Sequence, residues 1–196
     1  MKVIKIEETP NPAALKFIMD GPVVTSGSQS FAVDEDEEYH GDNPLAKGMF
    51  QFGAVSVFLC QNYVSVTMFK DNIWEHFLAD IKNVIETKLL PPGEKPPEKE
   101  KKPSVLDTLD KEKFPSLSNS EKSKIIDQLF DEMVRPALMS DGGNMEIIKV
   151  EENEVTIKYQ GACGSCPSST GGTLFAIERA LKGYLDPNLK VSIASS

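Results

Sequence analysis

Two cysteines separated by two residues, Cys163 and Cys166, are the side chains of this sequence best suited to do chemistry. They lie in the segment GACGSCPSS, between an expected hairpin and an expected helix. The two-residue gap lets both sulfurs point toward one centre, and Gly164 relieves side-chain crowding in the turn. Thiolates bind metals, and paired thiols form reversible disulfides. The spacing therefore predicts a metal or cluster site, or a redox dithiol, on a loop that we expect to be exposed.

The number of ligands within reach restricts the sites that this pair can build. Zinc sites and four-iron clusters take four protein ligands, and the pair supplies two. The third cysteine, Cys60, ends an apolar strand, where a lone cysteine usually packs as a small hydrophobic side chain. The two histidines, His40 and His76, lie far away in the sequence. The simplest completion is a second copy of the same loop, which gives four thiolates across a two-fold axis.

Three interpretations of the pair remain open on spacing alone, because iron–sulfur sites, zinc sites and thioredoxin-like dithiols all use it. A thioredoxin-like oxidoreductase is typical of a βαβ unit in which the pair begins a long helix behind a parallel strand. Here the pair follows an expected hairpin, and Gly171 and Gly172 weaken the start of the helix. A zinc-bridged structural dimer would use the same four sulfurs.

The elements that must position the pair divide into two small α+β domains. We expect an N-terminal domain at residues 1–90, a linker at 91–118 and a C-terminal domain at 119–196. The linker begins with PPGEKPPEKEKKPS, which contains five prolines and alternating Lys and Glu. Such a segment has too little apolar surface to form a core, and its prolines favour an extended, semi-rigid connector.

The N-terminal pattern predicts strands at residues 2–8 and 14–19 and a hairpin of strands at 55–60 and 64–69. Asn43 is expected to cap a short helix that ends at Phe50, with Pro44 at its first position. Asp71 or Asn72 is expected to cap a second helix, which buries one apolar face.

The C-terminal pattern predicts a helix, a hairpin, the cysteine loop, a second helix and an edge strand, in that order. Ser118 and Glu121 form a capping box at the start of the first helix, and Pro136 is expected to kink or end it. The hairpin pairs strands at 145–150 and 155–159. The second helix presents Leu174, Ile177, Leu181 and Tyr184, and the edge strand contains Val191 and Ile193.

Composition excludes several classes of protein. Acidic residues outnumber basic ones by 30 to 21, for a net charge of -9, which disfavours nucleic-acid binding. The apolar runs fall far short of the ~20 residues that a membrane-spanning helix needs. Three cysteines without a secretion signal indicate a reducing compartment. Because no signal or transit pattern opens the sequence, we expect a cytoplasmic, bacterial-like protein, with a processed organelle protein as the alternative.

Motifs in both halves resemble one known family. The C-terminal half is similar to the NifU C-terminal (Nfu-type) iron–sulfur domain in its residues Arg135-Pro136, Asp141-Gly142-Gly143, Cys163, Cys166 and Pro167-Ser168-Ser169. The N-terminal half resembles the Nfu N-terminal domain in Thr9-Pro10-Asn11-Pro12, Leu15-Lys16-Phe17 and Asn43-Pro44-Leu45-Ala46. The two resemblances cover most of the chain outside the linker, in the family's order. The sequence departs from the family pattern at Gly171-Gly172, where family members often have bulkier helix formers.

The resemblance implies a scaffold or carrier rather than an enzyme. In this family two subunits share one [4Fe–4S] cluster, and the resemblance carries the ligand role onto Cys163 and Cys166 alone. It implies a homodimer when the cluster is bound, which receives clusters from upstream assembly machinery and passes them to apo iron–sulfur proteins. The N-terminal domain is expected to help recognise these partners.

Overall fold

The computed structural model describes residues 1–33, 38–90, 92, 111–166 and 169–194, and these form two α+β domains, as predicted. Most of the predicted linker, residue 91 and residues 93–110, lies outside the described part of the chain. Among the described residues, no helix has both the length and the apolar character needed to cross a membrane.

The N-terminal domain is an antiparallel sheet of five strands with helices packed on one face. The strands are β1 (Val3–Glu8), β2 (Ala14–Met19), β3 (Ser28–Ala32), β4 (Ala54–Cys60) and β5 (Tyr63–Met68), in the spatial order β1-β2-β5-β4-β3. The helices are α1 (Pro44–Phe50) and α2 (Trp74–Lys88). Their apolar sides close a core with the inner face of the sheet, which includes Phe17, Val57, Val66, Ile81 and Ile85.

Local sequence signals account for most of this domain. The Asn43 side chain accepts hydrogen bonds from the backbone N–H groups of Leu45 (3.0 Å) and Ala46 (3.1 Å), so the predicted cap is confirmed. α2 begins at Trp74, after a 3₁₀ turn, and its N-cap is Ile73 without a side-chain hydrogen bond, so the predicted capping position is wrong. Strand β3 has a polar sequence without a hydrophobic alternation, and it was not predicted because pairing with β4 forms it.

The C-terminal domain packs helices on a three-stranded sheet. Its elements are α3 (Asn119–Met133), α4 (Arg135–Ser140), β6 (Gly143–Glu151), β7 (Glu154–Gly161), α5 (Leu174–Tyr184) and β8 (Lys190–Ile193). The strand order is β6-β7-β8, with β6 antiparallel and β8 parallel to β7. The predicted hairpin and edge strand are confirmed.

The predicted start and end of the first helix are also confirmed. The Glu121 N–H donates to Ser118 Oγ (3.4 Å) and the Ser118 N–H donates to Glu121 Oε2 (3.0 Å), which completes the capping box. The helix is interrupted at Val134, which separates α3 from α4. Pro136 lies in the first turn of α4, where the missing N–H of proline has little effect on stability.

The second core extends into the segment predicted as linker. Phe114, in a 3₁₀ turn, is fully buried with Phe130, Ile157, Ile177 and Leu181. We therefore propose that the C-terminal domain includes residues from 111 onward, so that residues 111–118 are not linker. A third, small cluster of Phe58, Cys60 and Tyr63, with Met139 against it, joins the two domains.

Candidate metal centre

Glycines at the end of β7 turn the chain into the cysteine loop. Gly161 has φ +62° and Gly142, on the neighbouring turn, has φ +81°, both in the left-handed region that favours glycine. The Ala162 N–H donates to the Gly142 carbonyl (3.2 Å), and the Gly164 N–H donates to the Gly161 carbonyl (3.0 Å). The loop that carries the cysteines is therefore fixed to the turn that precedes β6.

Gly143 makes room for the Cys163 sulfur. A Cβ at Gly143 would lie 2.4 Å from Cys163 Sγ and 2.8 Å from the Cys163 backbone nitrogen, closer than non-bonded atoms approach. In the sequence, Asp141-Gly142-Gly143 contributed only to the family resemblance. Its second glycine also seats a sulfur that follows about 20 residues later (163 − 143), which a local pattern could not reveal.

Both cysteines are buried, with 5% of each residue exposed, so the expectation of exposure is wrong for the cysteines, although Gly164 and Ser165 between them are exposed. Cys163 packs in the core of its own domain, and the turn between β1 and β2 of the N-terminal domain lies beside both cysteines. Asn11 Nδ2 donates to the Ala162 carbonyl (3.0 Å) and to Ser165 Oγ (3.1 Å). The two cysteines line a cavity of about 40 Å³ together with Pro10, Asn11, Leu138, Asp141, Ala162 and Thr173. The structure holds the pair as thiols rather than as a disulfide.

The pair lies in a βαβ unit, which the sequence analysis had not expected. The chain runs from β7 through the cysteine loop and α5 to β8, which is parallel to β7. One turn of π-helix, Ser169–Thr173, separates the loop from α5, and its glycines have open space around them. The expectation that the pair lies outside a βαβ unit was wrong because β8 is parallel to β7. The direction of a four-residue edge strand cannot be predicted from its sequence.

Two buried tyrosines, Tyr63 and Tyr159, lie near Cys163. Burial, and then the proximity of Cys163, raises the pKa of Tyr159, and its hydroxyl has no hydrogen-bond partner among the described residues. Burial, followed by Cys60, also raises the pKa of Tyr63. Both phenols therefore stay protonated at neutral pH.

Cys60 packs in the small cluster between the domains, as predicted for a lone buried cysteine. It is 2% exposed, and its Sγ lies 3.7 Å from Met139 Sδ. Burial raises the pKa of its thiol, which disfavours the thiolate that a metal requires. Within the described ranges, no three His, Cys, Asp or Glu side chains group as metal ligands.

Arg135 joins α4 to α3 and β6, a role that the sequence analysis missed. Its guanidinium pairs with Asp127 Oδ1 (2.6 Å) and with Asp131 of α3, and its Nε donates to the Met145 carbonyl of β6 (3.4 Å). Burial lowers the pKa of Arg135, but the hydrogen bonds to the two aspartates outweigh it and leave the pKa raised. The acidic residues eight and four positions before Arg135 were the available signal.

Two family profiles match the chain. The profile described as "Scaffold protein Nfu/NifU N terminal" matches residues 4–90, and the "NifU-like domain" profile matches residues 126–192. A NifU-like protein of Schizosaccharomyces pombe is 30% identical over 97% of this chain and 76% of its own length. The chain belongs to the Nfu family. The resemblance carried by the sequence motifs is thereby confirmed in both halves.

Other Nfu relatives match along nearly the whole chain. The mitochondrial NifU-like protein 5 of Arabidopsis thaliana is 31% identical over 93% of this chain and 64% of its own length. The human protein named mitochondrial NFU1 iron-sulfur cluster scaffold homolog is 29% identical over 93% of this chain and 68% of its own length. The chain thus spans about two thirds of the length of these two relatives.

Proposed function

We propose that this Nfu-family chain is an iron–sulfur cluster scaffold and carrier rather than an enzyme. Two copies would hold one [4Fe–4S] cluster through Cys163 and Cys166 of each copy and pass it to apo iron–sulfur proteins. The observation that carries the proposal is that these two thiols line one cavity at the end of β7, inside the region that matches the NifU-like domain. The name of the human relative, an iron–sulfur cluster scaffold homolog, supports it.

The number of ligands supports a site shared between two copies. A [4Fe–4S] cluster takes four thiolates, and the described part of one chain offers two in one place. The third cysteine is buried in the interdomain cluster with a raised pKa. A two-fold axis beside the loop doubles the pair and supplies the missing ligands.

A shared site also suits transfer. Separating the two copies removes half of the ligands at once, so client cysteines can enter as the dimer opens. The partners are therefore upstream assembly proteins that supply the cluster and apo-proteins that accept it. A cytoplasmic location stays a prediction, and the processed organelle alternative stands beside it, because two matched relatives are named mitochondrial.

Anaerobic reconstitution with iron and sulfide tests the proposal. We expect about two iron and two sulfide ions per chain, because one four-iron cluster serves two chains. Sedimentation should show a dimer for the loaded protein and a shift toward monomer after chelation. A loaded protein that stays monomeric, or one without bound sulfide, would contradict the shared cluster.

A dithiol oxidoreductase is the second candidate, and the βαβ placement of the pair favours it. Metal-free, reduced protein assayed for disulfide reduction separates the two, because the scaffold proposal expects no turnover above that of the free thiols. A zinc-bridged dimer would use the same sulfurs, and it would bind zinc without the visible absorbance of a cluster.

A further inference from the structure

The outer face of the N-terminal sheet, opposite its core, is buried over part of its width. One cross-strand row on this face runs from Lys16 on β2 through Ser65 on β5 and Phe58 on β4 to Ser30 on β3. Lys16 is 8% exposed, Ser65 1% and Phe58 0%, whereas Ser30 is exposed to solvent. A sheet face that carries lysine and serine normally meets water, so something specific covers this part of it.

The covering element is the cysteine-loop side of the C-terminal domain. A Cβ at Gly161 would lie 2.8 Å from the Phe58 ring, and one at Gly142 would lie 3.1 Å from Ser65 Oγ. The close approach of these two backbones to the sheet therefore depends on glycine. At the edge, Ser28 Oγ donates to Gln160 Oε1 (3.3 Å), which extends the contact along β7.

Lys16 donates hydrogen bonds to the C-terminal end of helix α4. Its Nζ donates to the carbonyls of Met139 (3.1 Å) and Ser140 (3.2 Å), which lie in the last turn of that helix. The Met139 carbonyl also accepts from the Gly142 N–H (3.2 Å), and a cation beside the carbonyls at a helix C-terminus is favourable. The same ammonium lies 4.5 Å from the centre of the Tyr63 ring. The contact is thus polar and directional as well as apolar.

In the closed arrangement of the two domains, Pro10 and Asn11 occupy the space beside the cysteines that a shared cluster would need. Asn11 is bonded to the loop at Ala162 and Ser165, and the cavity of about 40 Å³ beside both sulfurs holds a few water molecules at roughly 10–15 Å³ each. An eight-atom cluster and a second loop do not fit there while Pro10 and Asn11 remain in place.

We propose that the outer face of the N-terminal sheet is a binding surface for the cysteine loop of its own chain. In the metal-free chain this contact and the turn between β1 and β2, which carries Pro10 and Asn11, together cover Cys163 and Cys166. The two domains separate before a second copy can reach the cysteines. The covering contact stands on the geometry alone. Its competition with cluster binding rests on the proposed function.

The covering contact is tested by the rate at which Cys163 and Cys166 are alkylated. The rate is measured for each cysteine by mass spectrometry, in the metal-free, reduced full chain. Ser65→Arg places a long cation where 1% of the residue is exposed and should speed alkylation of both cysteines roughly tenfold or more. Ser30→Arg is the matched control, because it makes the same change in the same cross-strand row at an exposed position, and it should react like the wild type.

Circular dichroism verifies that each variant is folded. If Ser65→Arg does not fold, Lys16→Met replaces it, since that change keeps the apolar stem and removes the ammonium that contacts α4, the Tyr63 ring and Glu7. Wild-type cysteines that react as fast as those of the opened variant would overturn the proposal. A metal-free wild type that is slow to react but sediments as a dimer would also overturn it, because the loop would then be covered by a second copy.

A second measurement separates this inference from the proposed function. During anaerobic reconstitution, Ser65→Arg should reach the same final iron content per chain as the wild type but load it faster. Equal loading rates would contradict the competition between closure and cluster binding. If neither protein binds iron, the proposed function fails, and the alkylation rates still decide whether the domains close.

Discussion

At the scale of single residues, the environment of the Cys163 sulfur comes from several distant parts of the chain. Gly143 leaves space for it, the Tyr159 phenol lies nearby, and Asn11 of the other domain holds the backbone of the preceding residue. The types and spacing of the two cysteines were legible in the sequence. Their burial was not, because it depends on how two independently patterned domains meet.

Substitution of the proposed ligands should separate the three cysteines. Cys163→Ser and Cys166→Ser should each lose nearly all reconstituted iron, because each change removes two of the four thiolates of a shared site. Cys60→Ser should keep wild-type iron content, since Cys60 lies in the interdomain packing cluster. Iron and sulfide analysis after desalting measures this, and loss of iron in the Cys60 variant would disprove the two-loop site.

Gly143→Ala should impair the site without changing any ligand. The added Cβ would meet Cys163 Sγ at 2.4 Å and the Gln160 carbonyl at 2.7 Å, so the loop backbone must move. We expect iron retention to fall several-fold. Gly183→Ala is the comparison, because its Cβ meets nothing within 4 Å and should leave retention unchanged. Equal retention in both variants would show that the position of the sulfur does not depend on Gly143.

At the scale of elements, the predictions that succeeded used local signals. The Asn43 cap, the Ser118 capping box and the break before Pro136 each depend on residues within four positions of one another. The failures were β3, which only its pairing with β4 forms, and the parallel direction of β8, which decided the βαβ setting of the cysteines. Long-range pairing cannot be read from short, weakly patterned strands.

Arg135 should contribute to the stability of the C-terminal domain by joining α3, α4 and β6. Arg135→Met removes its hydrogen bonds to Asp127, Asp131 and the Met145 carbonyl, and we expect a loss of about 2 kcal/mol of unfolding free energy. Urea unfolding followed by circular dichroism measures it. Fluorescence of Trp74, the single tryptophan and a residue of the other domain, is an internal control. Our assignment fails if only the fluorescence transition shifts.

Glu178 should make α5 and β8 sensitive to acid. It accepts hydrogen bonds from Lys182 (2.6 Å) and from the Val191 N–H (3.0 Å), and these hold its pKa below the ordinary value of 4.5. A carboxylate with a lowered pKa stabilises the fold above that value, and the contribution is lost as the pH falls through the folded-state pKa.

Glu178→Gln should therefore lower the unfolding free energy at pH 7 by about 1 kcal/mol, the size of one hydrogen bond to a charged group at a partly exposed site. The difference from the wild type should shrink below pH 4.5, where the wild-type carboxylate also becomes neutral. Urea unfolding at several pH values measures both effects, with the exposed Glu152→Gln as the control. A difference that is independent of pH would assign the effect to shape rather than charge.

At the scale of the whole molecule, the two domains have separate cores joined by a small cluster and a few polar contacts. This arrangement suits a protein whose domains must part and meet again. On the proposed function, the N-terminal domain would be available to a client while the C-terminal domain presents the cluster, which would raise the local concentration of one near the other.

Residues 111–196 alone should therefore bind the cluster and deliver it to physiological clients more slowly than the full chain does. The second core lies entirely within that segment, so the segment keeps its own packing. The transfer rate to an apo-client, measured for both proteins at equal cluster concentration, tests this. Equal rates across several clients would remove the recognition role assigned to the N-terminal domain.

The parallel pairing of β8 with β7 also sets an order of events during synthesis. Glu154 pairs with Lys190, 36 positions later (190 − 154), so the sheet is complete only after the loop and α5 have left the ribosome. The β6–β7 hairpin can form early because its contacts are local, whereas distant strand pairing is slow. A newly made chain therefore passes through a stage in which its sulfurs are present but their surroundings are incomplete. If the chain holds the proposed cluster, its insertion would follow the synthesis of β8.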